Sequence, residues 1–380
     1  MAKKIERISL GSMSPGTERY LLVHRYGQAG ARPKIYLQAS IHADEIPAMM
    51  AAHHLIGLLD EAEARGEIKG EIILVPVANP IGLAQNINGS HIGRSEIRGG
   101  GNFNRNWPNM FEGLIEAVGP KLGSDPARNV AAIREAMGRK LAQMKPDAEF
   151  PRLRHELYKL AYDADFILDM HCDDEALMHL YLTHDFWPDG KDLAAETGSR
   201  AVFLCYESGG GAFEEQIYLA FYKLRQHYGD RFPIPPTVFT CTLEYRGQSD
   251  VFDEFGSKDA RALFRFMQRR GIIAGDPGPL PTLQCEGTPL EGADYMRAPK
   301  AGVLAYRVRP GDTVKKGDLV CEIIDPLAED PKRARTEMRA VTGGLVVSTC
   351  AKKLVAPGEG VTMIAGSEPL AHRTGLLLSD

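Results

Sequence analysis

Two side chains that ligate divalent metals stand three apart in Ile41-His42-Ala43-Asp44-Glu45, and a third, His171, closes the run Phe166-Ile167-Leu168-Asp169-Met170-His171. Zinc takes imidazole nitrogen and carboxylate oxygen at about 2.0–2.2 Å, and a catalytic zinc keeps a fourth position for water beside three protein ligands. Two histidines and one glutamate fit that count, so His42, Glu45 and His171 are expected to hold one zinc ion per chain. An HxxE pair alone arises often by chance; its placement is what gives it weight. YLQAS at 36–40 reads as a strand running into the pair, and the apolar run from Phe166 delivers His171 at its own carboxyl end. A third β-rich run, Thr237 to Leu243, presents Glu244 in the same way. In open α/β sheets ligands gather outside the carboxyl ends of strands, where loops converge. Zinc lowers the pKa of bound water toward about 7, and a carboxylate beside it can take the proton and pass it to a leaving amine. Glu244 is therefore expected to be the general acid/base.

The stretch Arg98-Gly-Gly-Gly-Asn102-Phe-Asn104-Arg105-Asn106-Trp107-Pro108 has neither helical nor strand periodicity and concentrates glycine, asparagine and arginine. Its composition is that of a binding loop. A guanidinium fork suits a carboxylate, the asparagines add orienting donors, and a second arginine would polarise the scissile carbonyl alongside the metal.

These residues need a scaffold that brings strand ends together. Up to about residue 275 the chain alternates short apolar or β-branched runs with helical patterns, which predicts an α/β fold with a largely parallel sheet. Strands are expected at Lys34 to Ala39, Glu71 to Val77, Phe166 to Met170, Ala201 to Cys205 and Thr237 to Leu243. Helices are expected at Ile46 to Ala64, Ala127 to Met144, Glu156 to Asp163, Glu214 to Tyr228 and Asp259 to Gly271. His53 and His54 fall in mid-helix, where adjacent side chains point about 100° apart and do not chelate one ion. GIIAGDPGPLP at 271–281 reads as a linker, giving a catalytic unit over 1–275 and a β-rich unit over 276–380.

In the second unit RAPKAGVL at 297–304 is echoed by RAVTGGLV at 339–346, and VRPGDTVKKGDLV at 308–320 has hairpin turn chemistry. This unit resembles the biotinyl/lipoyl-like barrel-sandwich domain, in which two similar halves interlock. It lacks the modifiable lysine of the carrier version, which disfavours a covalent carrier and leaves a structural or dimerisation module.

Bulk properties exclude several classes. A formal net charge of -5 provides no basic field for nucleic acid, and no apolar stretch is long enough to span a bilayer. The basic start is not followed by an apolar run, so a cytoplasmic location is expected. The six cysteines are scattered without a CxxC pair and read as reduced thiols, with Cys172 singled out because it follows a proposed ligand.

Four pieces taken in order, His42-x-x-Glu45, Asn104-Arg105, His171 at a strand end and Glu244 after Thr242-Leu243, resemble the succinylglutamate desuccinylase/aspartoacylase family of zinc carboxypeptidase-like hydrolases. The resemblance spans about 30–275, and the C-terminal part also looks like that of bacterial members. It implies a mixed, mainly parallel sheet flanked by helices plus a small all-β domain, zinc on His42, Glu45 and His171, and Glu244 as acid/base. Asn104 and Arg105 would grip a substrate carboxylate. Arg98 falls in roughly the place of the carbonyl-polarising arginine, with Arg94 as rival. Glu244-Tyr245-Arg246-Gly247 resembles the Glu-x-Arg-Gly of less characterised bacterial members, where Arg246 would contact the acyl group or a second carboxylate. Tyr206, Tyr218 and Tyr245 are all open as a substrate tyrosine. The implied substrate is an N-acyl amino acid or a short peptide. The alternatives are a carboxypeptidase and a non-catalytic binder on a hydrolase scaffold, and self-association is left open.

Overall fold

The computed structural model describes residues 3–378. Among these, nine strands form one mixed sheet: β1 (Lys4–Gly11), β2 (Arg19–Tyr26), β3 (Lys34–Ala39), β4 (Glu71–Val75), β5 (Phe166–Asp173), β6 (His179–Leu182), β7 (Ala201–Leu204), β8 (Phe239–Gly247) and β9 (Gly287–Pro289). Their spatial order is β1-β2-β4-β3-β5-β8-β6-β7-β9. Five of the eight neighbouring pairs are parallel, including the central run β4-β3-β5-β8. Five long helices pack on it: α1 (Pro47–Ala64), α2 (Pro126–Gln143), α3 (Glu149–Ala161), α4 (Phe213–Tyr228) and α5 (Asp253–Arg269). This is the expected mixed, mainly parallel α/β sheet flanked by helices. No helix among the described residues is long and apolar enough to cross a membrane.

Alternation along the central strands explains both the core and the site. Side chains two apart share a face. Ile35, Leu37, Leu168, Met170, Cys241, Leu243 and Tyr245 therefore face α1 and α5, where they meet Leu55, Leu59, Leu263 and Phe266. Each such apolar side chain, fully buried, contributes about 1.5–3 kcal/mol. The opposite face starts apolar, with Tyr36 and Ile167 packed against Leu157, Phe213 and Ile217. Toward the carboxyl ends it turns polar: Gln38 follows Tyr36, and Asp169 and His171 follow Ile167. Register aligns these across strands, Gln38 beside Asp169, Asp169 beside Thr242, and His171 beside Glu244. A buried polar patch thus interrupts an otherwise apolar face at the strand ends.

The structure differs from expectation chiefly at edges and helix starts. β1 and β2 form an antiparallel margin, with β1 at the edge of the sheet; β1 is largely exposed and both strands carry charged residues, so neither has the continuous apolar run of buried parallel ones. α3 begins at Glu149 and α5 at Asp253, each a turn or more earlier than the apolar pattern indicated, because the first turns are acidic and partly exposed.

After β9 the described chain is all β apart from one short helical turn. Gly302–Tyr306 pairs with Leu319–Ile324, and Gly344–Thr349 with Gly360–Ala365. The short strand Thr313–Val314 crosses to Gly344–Thr349, while Leu354–Val355 crosses to Gly302–Tyr306. The two halves interlock, and the repeat in the sequence is the structural repeat. Gly302 and Gly344 occupy matching places in it, where an added Cβ would stand 2.5 Å from the Ile324 carbonyl oxygen and 2.0 Å from that of Ala365. The unit is tied to the large sheet just beyond His171: Glu175–Ala176 pairs with Gly344–Thr349, the Thr349 hydroxyl donates to Glu175 at 2.9 Å, and Lys353 pairs with the same carboxylate.

Candidate metal centre and pocket

β3 ends in a sharp turn, with Ser40 at φ 58°. Its hydroxyl donates to the Glu45 carbonyl at 2.7 Å and folds residues 41–45 back over the sheet. Pro47 then opens α1, its missing N–H costing nothing in a first turn. His42 and Glu45 are thereby held against His171 at the end of β5. All three are 3% exposed, and one ligand atom from each lies within 4.8 Å of the others.

The contacts of the imidazoles decide what this cluster can bind. His42 Nδ1 and His171 Nδ1 both face Glu45, at 2.8 Å from Oε1 and 2.7 Å from Oε2. Their far nitrogens face acceptors: His42 Nε2 lies 2.8 Å from Asn102 Oδ1 and His171 Nε2 3.0 Å from Asp169 Oδ2. A proton on each Nε2 leaves both Nδ1 lone pairs aimed at a carboxylate. Ligand histidines are characteristically oriented in this way by a second polar group. Asp169 is itself fixed, accepting from Gln38 Nε2 at 2.9 Å and Asn104 Nδ2 at 3.3 Å, while the Tyr36 hydroxyl donates to Gln38 at 2.8 Å. Burial would raise the Glu45 carboxyl, but the two imidazoles outweigh it and hold it well below the ordinary range. Burial likewise opposes charge on His171, yet Asp169 and Glu45 raise its basicity well above normal; His42 is lowered by burial and by Arg94. Three inward-facing donor atoms of which one is anionic, each locked from behind, suit a divalent cation.

A pocket opens from this cluster and is lined by Glu244, Glu214, Arg94, Arg105, Asn104, Thr240 and Thr242 among others. Glu244 shares the row of His171. Burial pushes its carboxyl up to about 8, and its Oε2 has no hydrogen-bond partner among the described residues. Arg105 passes over Gly210, where a Cβ would come within 2.9 Å of its Cδ. Arg154 supports the loop from below, donating to the carbonyls of Asn102, Arg105 and Asn106. Asn104 is largely committed inside the protein, since its Oδ1 accepts from the Phe213 N–H at 3.0 Å in addition to its bond to Asp169.

Two of the arginines stand elsewhere. Arg98 is exposed near the tip of a hairpin and does not line the pocket, whereas Arg94 Nη1 reaches Glu45 Oε1 at 3.2 Å. The Gly-Gly-Gly after Arg98 carries the chain outward before it returns at Asn102. Arg246 adopts φ 62° where the β8 register slips, and its guanidinium makes a bidentate pair with Asp259 of α5 beneath Phe255. It belongs to the helix side of the sheet. Of the three open tyrosines, Tyr206 and Tyr218 line the pocket, while Tyr245 points to the opposite face and is fully buried. Cys172 borders the pocket but packs in the core on the helix side of the sheet, its N–H donating to Glu45 at 3.3 Å and its thiol pushed far up by burial. His54 bonds Asp253 at 2.9 Å, remote from the cluster.

The places of Asn102 and Asp169 behind the imidazoles, and of Glu214 in the pocket, are not assigned by the sequence pattern. Asp169 carried a usable signal, an acid in the middle of an apolar strand. Glu214 did not, because an acid in the first turn of a helix reads as ordinary dipole compensation.

A model of the succinylglutamate desuccinylase/aspartoacylase catalytic domain matches residues 31–225, a little over half of the chain. The structure is similar to that of a protein of this family from Shewanella amazonensis SB2B, with a TM-score of 0.83 and 24% identity over 95% of this chain and 98% of the other. A family protein from Shewanella frigidimarina NCIMB 400 aligns with a TM-score of 0.84 and 21% identity over 97% and 99% of the two chains. The product-bound ectoine utilization protein EutE (DoeB) from Ruegeria pomeroyi aligns with a TM-score of 0.65 and 16% identity over 95% and 94%. No curated protein matches the chain by sequence. These likenesses establish a common fold, and on the match to the catalytic-domain model the chain belongs to the succinylglutamate desuccinylase/aspartoacylase family of hydrolases.

Proposed function

We propose that His42, Glu45 and His171 hold one zinc ion and that the protein hydrolyses the amide of a small N-acyl amino acid. The observation that carries this is the pairing of a locked, inward-facing donor triad with the buried carboxylate of Glu244 beside it, whose Oε2 has no hydrogen-bond partner among the described residues. Zinc bound there would supply a Lewis acid for the amide carbonyl and a stronger nucleophile from water. The protein does the rest. Asp169 and Asn102 keep the imidazoles in the ligating tautomer. The buried Glu244 Oε2 is the place for the proton taken from water and returned to the leaving amine. Arg94, beside Glu45 and lining the pocket, would stabilise the oxygen on which charge develops. Arg105 anchors a substrate carboxylate.

The size of the substrate follows from the roof. Tyr295 and Met363 of the C-terminal β unit and Leu378 of the tail line the pocket, and the tail is pinned by the Leu377 N–H to the Ser208 carbonyl at 2.8 Å. A roof so close to the metal centre favours a small amide over a peptide chain. On this reading residues 1–275 carry the chemistry, residues 276–380 limit access, and the protein works in the cytoplasm.

Glu244→Gln tests the reading. In zinc-loaded protein it should keep one zinc per chain while turnover of N-acetyl or N-succinyl amino acids falls by roughly 10³-fold or more. Loss of zinc or near-normal turnover would remove Glu244 as the acid/base, and a wild type that cleaves short peptides but no N-acyl amino acid would overturn the substrate class.

A further inference from the structure

We infer that Glu214 selects the substrate, receiving a cationic group, a primary ammonium or a guanidinium, at the inner end of the pocket; this deepens the N-acyl amino acid reading above and rests on it. Glu214 stands in the first turn of α4, is 9% exposed and lines the pocket together with Thr240, Thr242 and Tyr218. Thr242 Oγ1 donates to its Oε1 at 2.6 Å, while Oε2 is buried without a hydrogen-bond partner among the described residues. A buried carboxylate with half its acceptors unused is costly unless a countercharge arrives. Burial first, and the Asp169 charge second, push its carboxyl up to about 7.

The adjacent residue shows that this is not the general state of the turn. Glu215 uses both oxygens, on the Ser208 N–H and hydroxyl and the Ala212 N–H. Both glutamates line the pocket, but one is spent on closing a loop while the other keeps an oxygen without a hydrogen-bond partner among the described residues. Tyr218 offers no cation, and its hydroxyl is taken by Asp185 at 2.8 Å.

Position sets the length of the ligand. Thr242 precedes Glu244 by two residues on one face of β8, which separates the two rows by roughly 6–7 Å along the strand. A substrate whose amide lies at the metal centre would reach Glu214 with a side chain of three or four carbons. That span and charge describe the N-acyl derivative of an amino acid with a terminal amine.

The test measures binding separately from turnover. Zinc-loaded wild type should bind L-lysine or L-ornithine at least about tenfold more tightly than the neutral L-norleucine by calorimetry at pH 8, and Glu214→Gln should erase that preference. Equal binding of lysine and norleucine by the wild type, equal binding of lysine and 6-hydroxynorleucine, or a preference that survives in Glu214→Gln would each overturn the inference. If Glu214→Gln does not fold, Glu214→Ala carries the comparison, and the wild-type preference alone decides whether a cation is received. Turnover of the N-acetyl forms reports on the deacylase reading. A Glu214-dependent preference without hydrolysis of any N-acyl amino acid would sink that reading and leave the cation site standing; hydrolysis without the preference would do the reverse.

Discussion

At the carboxyl end of β5, the polar atoms behind the proposed metal ligands have partners on neighbouring strands: Asp169 holds His171, Gln38 holds Asp169, and Tyr36 holds Gln38. The C-terminal β unit meets the same pocket differently, with the ring of Tyr295, the thioether of Met363 and the tail residue Leu378. The first region positions atoms through buried hydrogen bonds; the second closes space with side chains that take no part in that network. The contrast suggests that reactivity and substrate size are set by separate parts of the fold.

That separation can be broken in order of effect. His171→Ala removes a ligand and leaves Glu45 and Asp169 buried without their partner, so zinc should be lost and turnover should fall by about 10⁴-fold or more; stoichiometric zinc in the variant, measured by atomic absorption, would remove His171 from the centre. Asp169→Asn keeps the shape but exchanges an anionic acceptor for an amide, which should weaken zinc binding by about 10–100-fold without unfolding the protein. Unchanged affinity in a competition assay with a chelator would show that the relay behind His171 does not tune the metal. The smallest effect belongs to the roof. Met363→Ala should leave zinc affinity unchanged and raise the kcat/KM for a dipeptide relative to an N-acetyl amino acid by a few-fold, because only space is created. A change in metal affinity there would mean that the two regions are coupled after all.

Much of the arrangement was legible from local pattern. The strands β3, β5 and β8 are short runs of apolar and β-branched residues, and chemistry-bearing side chains at their carboxyl ends follow from the α/β rule. The pairing of His42 with Glu45 needs only a tight turn. Tyr245 could have been set aside on alternation alone, since Glu244 and Tyr245 must face opposite sides of β8. The interlocked halves of the C-terminal unit were visible as a repeat because each half needs a glycine at the same close approach.

Other features depended on which strands became neighbours. Nothing in FILDMH says that Asp169 lies beside Gln38 and Thr242, or that His171 lies beside Glu244; those pairings are set by the register of strands more than 60 residues apart in the chain. Arg94 and Arg98 look alike in sequence, yet one hairpin turns the first toward Glu45 and the second to solvent. Arg246 is drawn to Asp259 because the β8 register slips after Glu244. Glu214 carries the same first-turn signature as Glu215, and only the packing of α4 against β8 leaves one of the two, both lining the pocket, with an oxygen unsatisfied among the described residues. Residue type and spacing thus determined the donors and the ends of the elements, which depend on local geometry. Tertiary packing decided which charges are satisfied and which face the substrate, because that depends on partners brought close by folding.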